Sequence, residues 1–144
     1  MTIPAPSPGL VIRYSFLWSR DKDRGASEGV KDRPCAIVLA IRRSEDGEIK
    51  VVVAPITHSP PSDPAAIEIP SRTRRSLGLD DERQWIAIDE LNAFSWPGFD
   101  LRPIPGRRGQ FVYGMLPEAL YERMRVGILR RDAEGKARRI VDRD

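Results

Sequence analysis

The sequence predicts a mainly β fold: a small antiparallel barrel with a C-terminal helix and a long inserted loop that holds a short helix. Short apolar runs recur at close intervals, separated by Gly, Pro and Asp turn signals. Only one long stretch has helical periodicity, and it comes last. The βαβ alternation of a parallel sheet is therefore missing.

Each element follows from local chemistry. Pro8-Gly9 is a turn signal, and Leu10 to Trp18 reads as the first strand. From Ser19 to Arg33 the chain is charged, contains Gly25 and Gly29 and follows no period, so a loop is expected. Cys35 to Arg43 is the second strand. Ser44-Glu45-Asp46-Gly47 supplies a turn, and Glu48 to Thr57 returns as the third strand of a hairpin. The prolines between Ser59 and Pro64 lack donors and restrict their neighbours, which excludes regular structure. Ala66 to Ile69 is a short strand. Pro70 to Leu79 is a short helix, with Ser71 or Thr73 as its cap and Gly78 as its stop. Trp85 to Asp89 alternates as a strand, and Leu91 to Trp96 is another, ended by Pro97-Gly98. After a Pro/Gly/Arg loop from Leu101 to Gly109, Phe111 to Gly114 is the last strand. Pro117, at the first helical position, opens the final helix. Leu120, Met124 and Ile128 give that helix one apolar face, flanked by Tyr121 and Val126. The charged tail, 132–144, is expected to fray.

Residues 1–144 read as one domain, and a hydrophobic content of 40% suffices for one small core. No apolar run approaches the roughly 20 residues that cross a bilayer. Met1 to Pro8 is Pro-rich and uncharged, so it does not read as a secretory signal. A cytoplasmic protein is expected. The single cysteine, Cys35, excludes an internal disulfide and a cysteine-based zinc site, and its apolar run marks it as a buried thiol. The pattern asks for no cofactor and no metal. The net charge of +3 is uneven: 102–144 carry 11 basic against 6 acidic side chains. That third of the chain is expected either to meet a polyanion or to form a solvated helix face.

The chemistry concentrates in two blocks, Lys31-Asp32-Arg33-Pro34-Cys35 and Pro55-Ile56-Thr57-His58. If the strands pair through their turn, the start of one lies beside the end of the other. A permanent cation, a hydroxyl and an imidazole then share one rim, which is the part list for handling a phosphodiester without a metal. Cleavage of RNA by its own 2′-hydroxyl needs a base, a stabiliser for the extra phosphorane charge and an acid for the leaving oxygen. Arg33 suits the second role, because a guanidinium stays charged and can fork onto two oxygens. Thr57 can hydrogen-bond a phosphate oxygen or orient the 2′-hydroxyl. His58, the only histidine, suits proton transfer. Consecutive strand residues face opposite sides, so His58 joins Thr57 only if the strand has ended. Plain alternatives stand beside each role: Arg33 as a sheet-edge residue, Thr57 as an ordinary strand residue, His58 as a surface group. Lys31 can attract phosphates or merely be solvated. Trp18, Phe94 and Trp96 can stack unpaired bases or fill the core, and Trp96, next to Pro97-Gly98, is the best placed for an exposed platform. Arg102, Arg107 and Arg108 could add phosphate contacts from their loop.

The chain resembles the MazF/PemK family of toxins from bacterial toxin–antitoxin pairs. Pro8-Gly9-Leu10-Val11-Ile12 is similar to the family's opening strand, with Leu10 in place of Asp. Glu28-Gly29 through Lys31, Arg33 and Pro34 into Cys35-Ala36-Ile37-Val38-Leu39 is similar to its Gly-x-x-Arg-Pro block. Val51 to Thr57 resembles the strand that ends in the family's Thr, and Ile88-Asp89-Glu90-Leu91-Asn92 stands where many members carry Asp-Gln. The resemblance spans roughly residues 8 to 130. It implies an SH3-like barrel, a homodimer, and a metal-independent endoribonuclease acting on single-stranded RNA. It also implies an antitoxin partner whose flexible tail blocks the RNA groove. Carried over by position, it makes Arg33 and Thr57 catalytic and Asp89 an alternative base to His58. Asp89 could equally serve as a structural partner of Arg33. Lys31, Pro34, Asn92 and Trp96 complete the expected RNA-binding set. The chain departs from the family in its insertion from His58 to Gln84 and in Ala87, where the PemK branch has Arg. A second expectation from these departures is a non-catalytic barrel that binds RNA or a protein tail.

Overall fold

A computed structural model describes residues 3–27, 29, 31–60, 66–136 and 139–144. The chain order is β1 (Leu10–Tyr14), α1 (Ser19–Asp23), β2 (Arg33–Arg42), β3 (Ile49–Thr57), β4 (Ile67–Glu68), α2 (Ser71–Leu77), β5 (Trp85–Ile86), β6 (Glu90–Ser95), β7 (Val112–Met115), α3 (Glu118–Ala133) and β8 (Arg139–Asp142). The strands make one strongly curled half-barrel in the order β4-β5-β3-β2-β1-β7, with β6 also on β3 and β8 on β6. Every pairing is antiparallel except β6 with β8. No helix among the described residues is long and apolar enough to cross a membrane.

The unbroken apolar runs of β2 and β3 are explained by burial on both faces of the sheet. Val11, Ala36, Ala54 and Ile56 face one core, which Leu77 of α2 and Leu120, Met124 and Ile128 of α3 close. Ile12, Cys35, Ile37 and Val53 face the other, with Tyr14, Phe16, Phe94 and Leu101. The Tyr14 and Phe94 rings stack there at 4.5 Å. The predicted hairpin is present, paired from Cys35↔Pro55 to Arg42↔Ile49 with an irregularity between Ile37 and Leu39. Its turn uses Gly47 at φ 74, a conformation open to a residue without Cβ, and Asp46 accepts the Glu48 N–H at 2.9 Å.

Several expectations need correction. The first strand stops at Tyr14, because its partner β2 begins opposite it at Arg33. Ser19 to Asp23 is a short helix rather than loop. Its first residue is held from far along the chain, the Ser19 N–H and hydroxyl both donating to the Glu90 carboxylate at 2.8 and 2.6 Å. Neither Ser71 nor Thr73 caps α2 with a side-chain bond; Pro70 occupies the cap and Thr73 is buried. Gly78 does end it, in the left-handed region at φ 72. Pro117 sits one position earlier than expected, at the cap of α3. Parts of the proline loop (61–65), Glu28 of the Gly-x-x-Arg-Pro block and the first two residues lie outside the described residues.

The largest departure is the tail, which does not fray. β8 lies along β6 in register Glu90↔Arg139 to Ala93↔Asp142. Arg143 reaches the Asp100 carboxylate at 3.0 Å, the Ser15 carbonyl at 2.7 Å and Asn92 Oδ1 at 3.1 Å. Asp144 accepts the Ser95 N–H at 2.9 Å and hydroxyl at 2.7 Å, and pairs with Lys50. A charge run looks solvated in sequence; here its charges are matched by partners spread over the sheet.

Two predictions follow from this packing. Asn92 is fully buried, and its amide accepts the Leu17 N–H at 2.9 Å and donates to the Leu17 carbonyl at 2.8 Å. Asn92→Ala leaves both Leu17 groups without partners and should cost about 2 kcal/mol or more in chemical denaturation. Burial alone would raise the Asp144 carboxyl, but hydrogen bonds from Lys50 and Ser95 outweigh it and hold the group at about 2, below its ordinary 3.8. A depressed carboxyl stabilises above its ordinary value, and the contribution fades as pH falls toward the folded one. Stability measured from about pH 4 to about pH 2 should therefore fall more steeply in the native chain than in Asp144→Asn.

Candidate functional site

The predicted chemistry gathers where β2 and β3 part. Their pairing ends at Cys35↔Pro55. Beyond it, Arg33 and Pro34 pair with Tyr14 and Arg13 of β1, whereas Ile56 and Thr57 pair with Ile86 and Trp85 of β5. The diverging ends leave an open hollow of about 440 Å³, to which Lys31, Arg33, Thr57, His58 and Asp89 all contribute. A second hollow of about 300 Å³ shares Lys31, Arg33 and His58 and adds Pro34, Arg13 and Tyr113. The shared residues make the two into one groove, with Arg33 and His58 at its middle.

Arg33 is half-buried, with its guanidinium carbon 5.2 Å from the centre of the Trp18 ring. Among the described residues no carboxylate pairs with it, and its buried Nε makes no hydrogen bond. Burial, reinforced by the Arg20 charge against an opposing pull from Cys35, lowers its basicity below the ordinary value. A guanidinium has enough margin to remain a cation. It is held by an aromatic face rather than by an anion, so its charge is available to a ligand.

Thr57 ends its strand, and its hydroxyl accepts the Ser59 N–H at 3.1 Å. This local turn bends the chain at His58 and leaves the threonine O–H proton free to donate. The strand has therefore ended in time for both side chains to enter one hollow, despite their adjacency. His58 Nε2 lies 2.7 Å from Asp80 Oδ2 and 3.6 Å from Glu82 Oε2. Asp80 is fixed in turn: its other oxygen accepts the Glu82 N–H at 3.0 Å and the amide of buried Gln84 at 3.1 Å. Asp89 lines the first hollow half-buried and makes no ion pair with Arg33 among the described residues.

Two expected RNA contacts are misplaced. Asn92 is sealed in the core by the Leu17 backbone, so no ligand reaches it. Trp96 lies against Phe94, 6.3 Å between ring centres, with its indole N–H on the Pro4 carbonyl at 3.1 Å. It lines a separate hollow with Phe99. Arg102 pairs with Asp32 and Asp100, and neither Arg107 nor Arg108 lines the groove. The aromatic surface of the first hollow is Trp18, flanked by Arg20 at 5.9 Å.

Sequence reasoning missed Asp80 and Arg139. The acidic run 80–82 was visible, but nothing local ties it to a histidine 22 positions away. Arg139 lines the hollow beside Ala87 and Asp89 because β8 docks on β6, and its guanidinium reaches Asp23 at 2.8 Å. The basic surplus of the C-terminal third thus supplies one groove cation, and the others come from the N-terminal half. Compared with known proteins, the chain matches no family model and no curated protein.

Cys35 is no nucleophile for this groove. Its side chain is fully buried, and burial pushes the thiol well above the usual range, against the pull of Arg33 and Arg143. Native protein at mild alkaline pH should leave a chromogenic disulfide reagent unreacted, and the denatured chain should consume one equivalent.

Proposed function

We propose that the chain is a ribonuclease of the MazF/PemK type, which cleaves single-stranded RNA through the 2′-hydroxyl and needs no metal to do so. The observation that carries this reading is that Arg33, Thr57 and His58 line one open hollow, with the Arg33 charge uncommitted to any carboxylate among the described residues. In the reaction, a new bond forms between the 2′-oxygen and phosphorus while the bond to the 5′-oxygen breaks. The products are a 2′,3′-cyclic phosphate and a 5′-hydroxyl. Arg33 forks onto the non-bridging oxygens as their charge grows, and the Thr57 hydroxyl donates to one of them. Of His58, oriented by Asp80, and Asp89, one takes the 2′-hydroxyl proton and the other gives a proton to the leaving 5′-oxygen. Lys31 and Arg20 draw the phosphate backbone in, and Trp18 offers a face for an unpaired base. The type brings with it an SH3-like barrel description, a homodimer, a cytoplasmic setting and an antitoxin that covers the groove.

A non-catalytic RNA-binding barrel is favoured by one observation. Ala87 lines the hollow without a cation, and the neighbouring Arg139 is already paired with Asp23. One experiment separates the readings. Purified protein is incubated with single-stranded RNA in excess chelator, and the fragment ends are identified. Cleavage to cyclic-phosphate ends is expected, with Arg33→Ala lowering the rate by about a hundredfold or more while the fold is retained. Retained RNA binding without fragments selects the binding module. Full activity in a folded Arg33→Ala variant removes Arg33 from the mechanism.

A further inference from the structure

The geometry points to a divalent transition-metal site formed by His58, Asp80 and Glu82 on the rim of the groove. Each residue presents one donor atom, and the three atoms lie within 4.8 Å of one another. Donors on a common zinc ion, at about 2.0–2.1 Å from it in a tetrahedron, sit roughly 3.4 Å apart. The observed separations from His58 Nε2, 2.7 Å to Asp80 and 3.6 Å to Glu82, bracket that spacing. All three side chains are exposed, so small rotations complete the fit.

The site is built from more than proximity. Gln84, 2% exposed, and the Glu82 N–H hold Asp80 Oδ1, which turns Oδ2 outward toward the imidazole. Such a fixed outer partner is what orients a metal-binding carboxylate. Thr57 supplies the turn that aims His58 the same way. Charge agrees with geometry. Among the described residues neither Asp80 nor Glu82 is paired with Lys or Arg; both address His58 alone. Two carboxylates facing one imidazole leave excess negative charge, which a dication neutralises. The mixed nitrogen and oxygen donor set suits zinc and its first-row neighbours better than magnesium or calcium, which prefer oxygen alone. Three protein donors leave a fourth position for solvent.

The consequence for the groove rests on the proposed ribonuclease activity. An ion on Nε2 takes the imidazole and its orienting carboxylate together, so zinc should oppose cleavage. Metal-stripped full-length protein is titrated with zinc chloride by calorimetry, and RNA cleavage is measured in parallel with and without one equivalent of zinc. The native chain is expected to bind one zinc ion, His58→Ala to lose it, and Glu82→Gln to bind at least about tenfold more weakly. Glu82→Gln should cleave RNA in chelator at the native rate and resist inhibition by zinc. Absence of stoichiometric binding, or unchanged affinity in both variants, overturns the site. Binding with unaltered cleavage overturns the inhibitory consequence alone. Zinc binding by a chain that leaves RNA intact in chelator sustains the site and removes the ribonuclease reading.

Discussion

The molecule depends on the point where two long paired strands separate. β2 and β3 are the longest strands, and over 35–38 and 53–56 they are buried on both faces, so their mutual register cannot slip without exposing apolar side chains. That register brings the first residues of one to the last residues of the other. Past Cys35 and Pro55 each strand turns to a different neighbour, and a groove opens between them. Arg33, Thr57 and His58 inherit their positions from this divergence. A rigid hairpin defines the distance, and the two outer partners, β1 and β5, define the opening.

The groove differs from an ordinary charged surface in how its cation is held. Several exposed arginines are tied to carboxylates, as Arg83 is to Glu68 and Arg125 to Glu122. Such pairs contribute little stability and leave little charge to offer. Arg33 instead rests on Trp18, whose ring in turn meets Phe16 edge-on at 5.1 Å. An aromatic support holds the guanidinium in place while leaving its hydrogen-bond donors unspent, at a gain of about 1 kcal/mol. His58 shows the opposite arrangement: it is held by the Asp80 carboxylate, which is itself anchored by Gln84.

Long-range ties complete both halves. Asn92 joins β6 to the segment after β1, and Glu90, which also lines the hollow, fixes the start of α1. β8 then adds Arg139. None of these contacts links residues near in sequence. The hairpin, the short helix α2 with its Gly78 stop and the buried face of α3 were legible because alternation, a turn pair or a 3.6-residue period marks them locally. The shortening of β1, the helix α1 and the docking of the tail were not, since each depends on a partner outside its own segment: Arg33 opposite Tyr14, Glu90 for Ser19 at a separation of 71, and β6 beside β8.

By itself the sequence determined the mainly β architecture, the hairpin and the fact that Arg33, Thr57 and His58 stand at the ends of two apolar runs. It could do so because hydrophobic periodicity and turn chemistry act over a few residues. Only the tertiary structure decided which polar groups the core consumes and which remain at the surface. Asn92 and Thr57 are both polar residues of a strand, yet one amide is spent on a distant backbone while the other hydroxyl keeps a proton facing the groove. The same selection sent Trp96 to another hollow, left Trp18 beneath Arg33 and brought Asp80 to His58. Hydrogen-bond partners are assigned in three dimensions, where most buried polar groups find one.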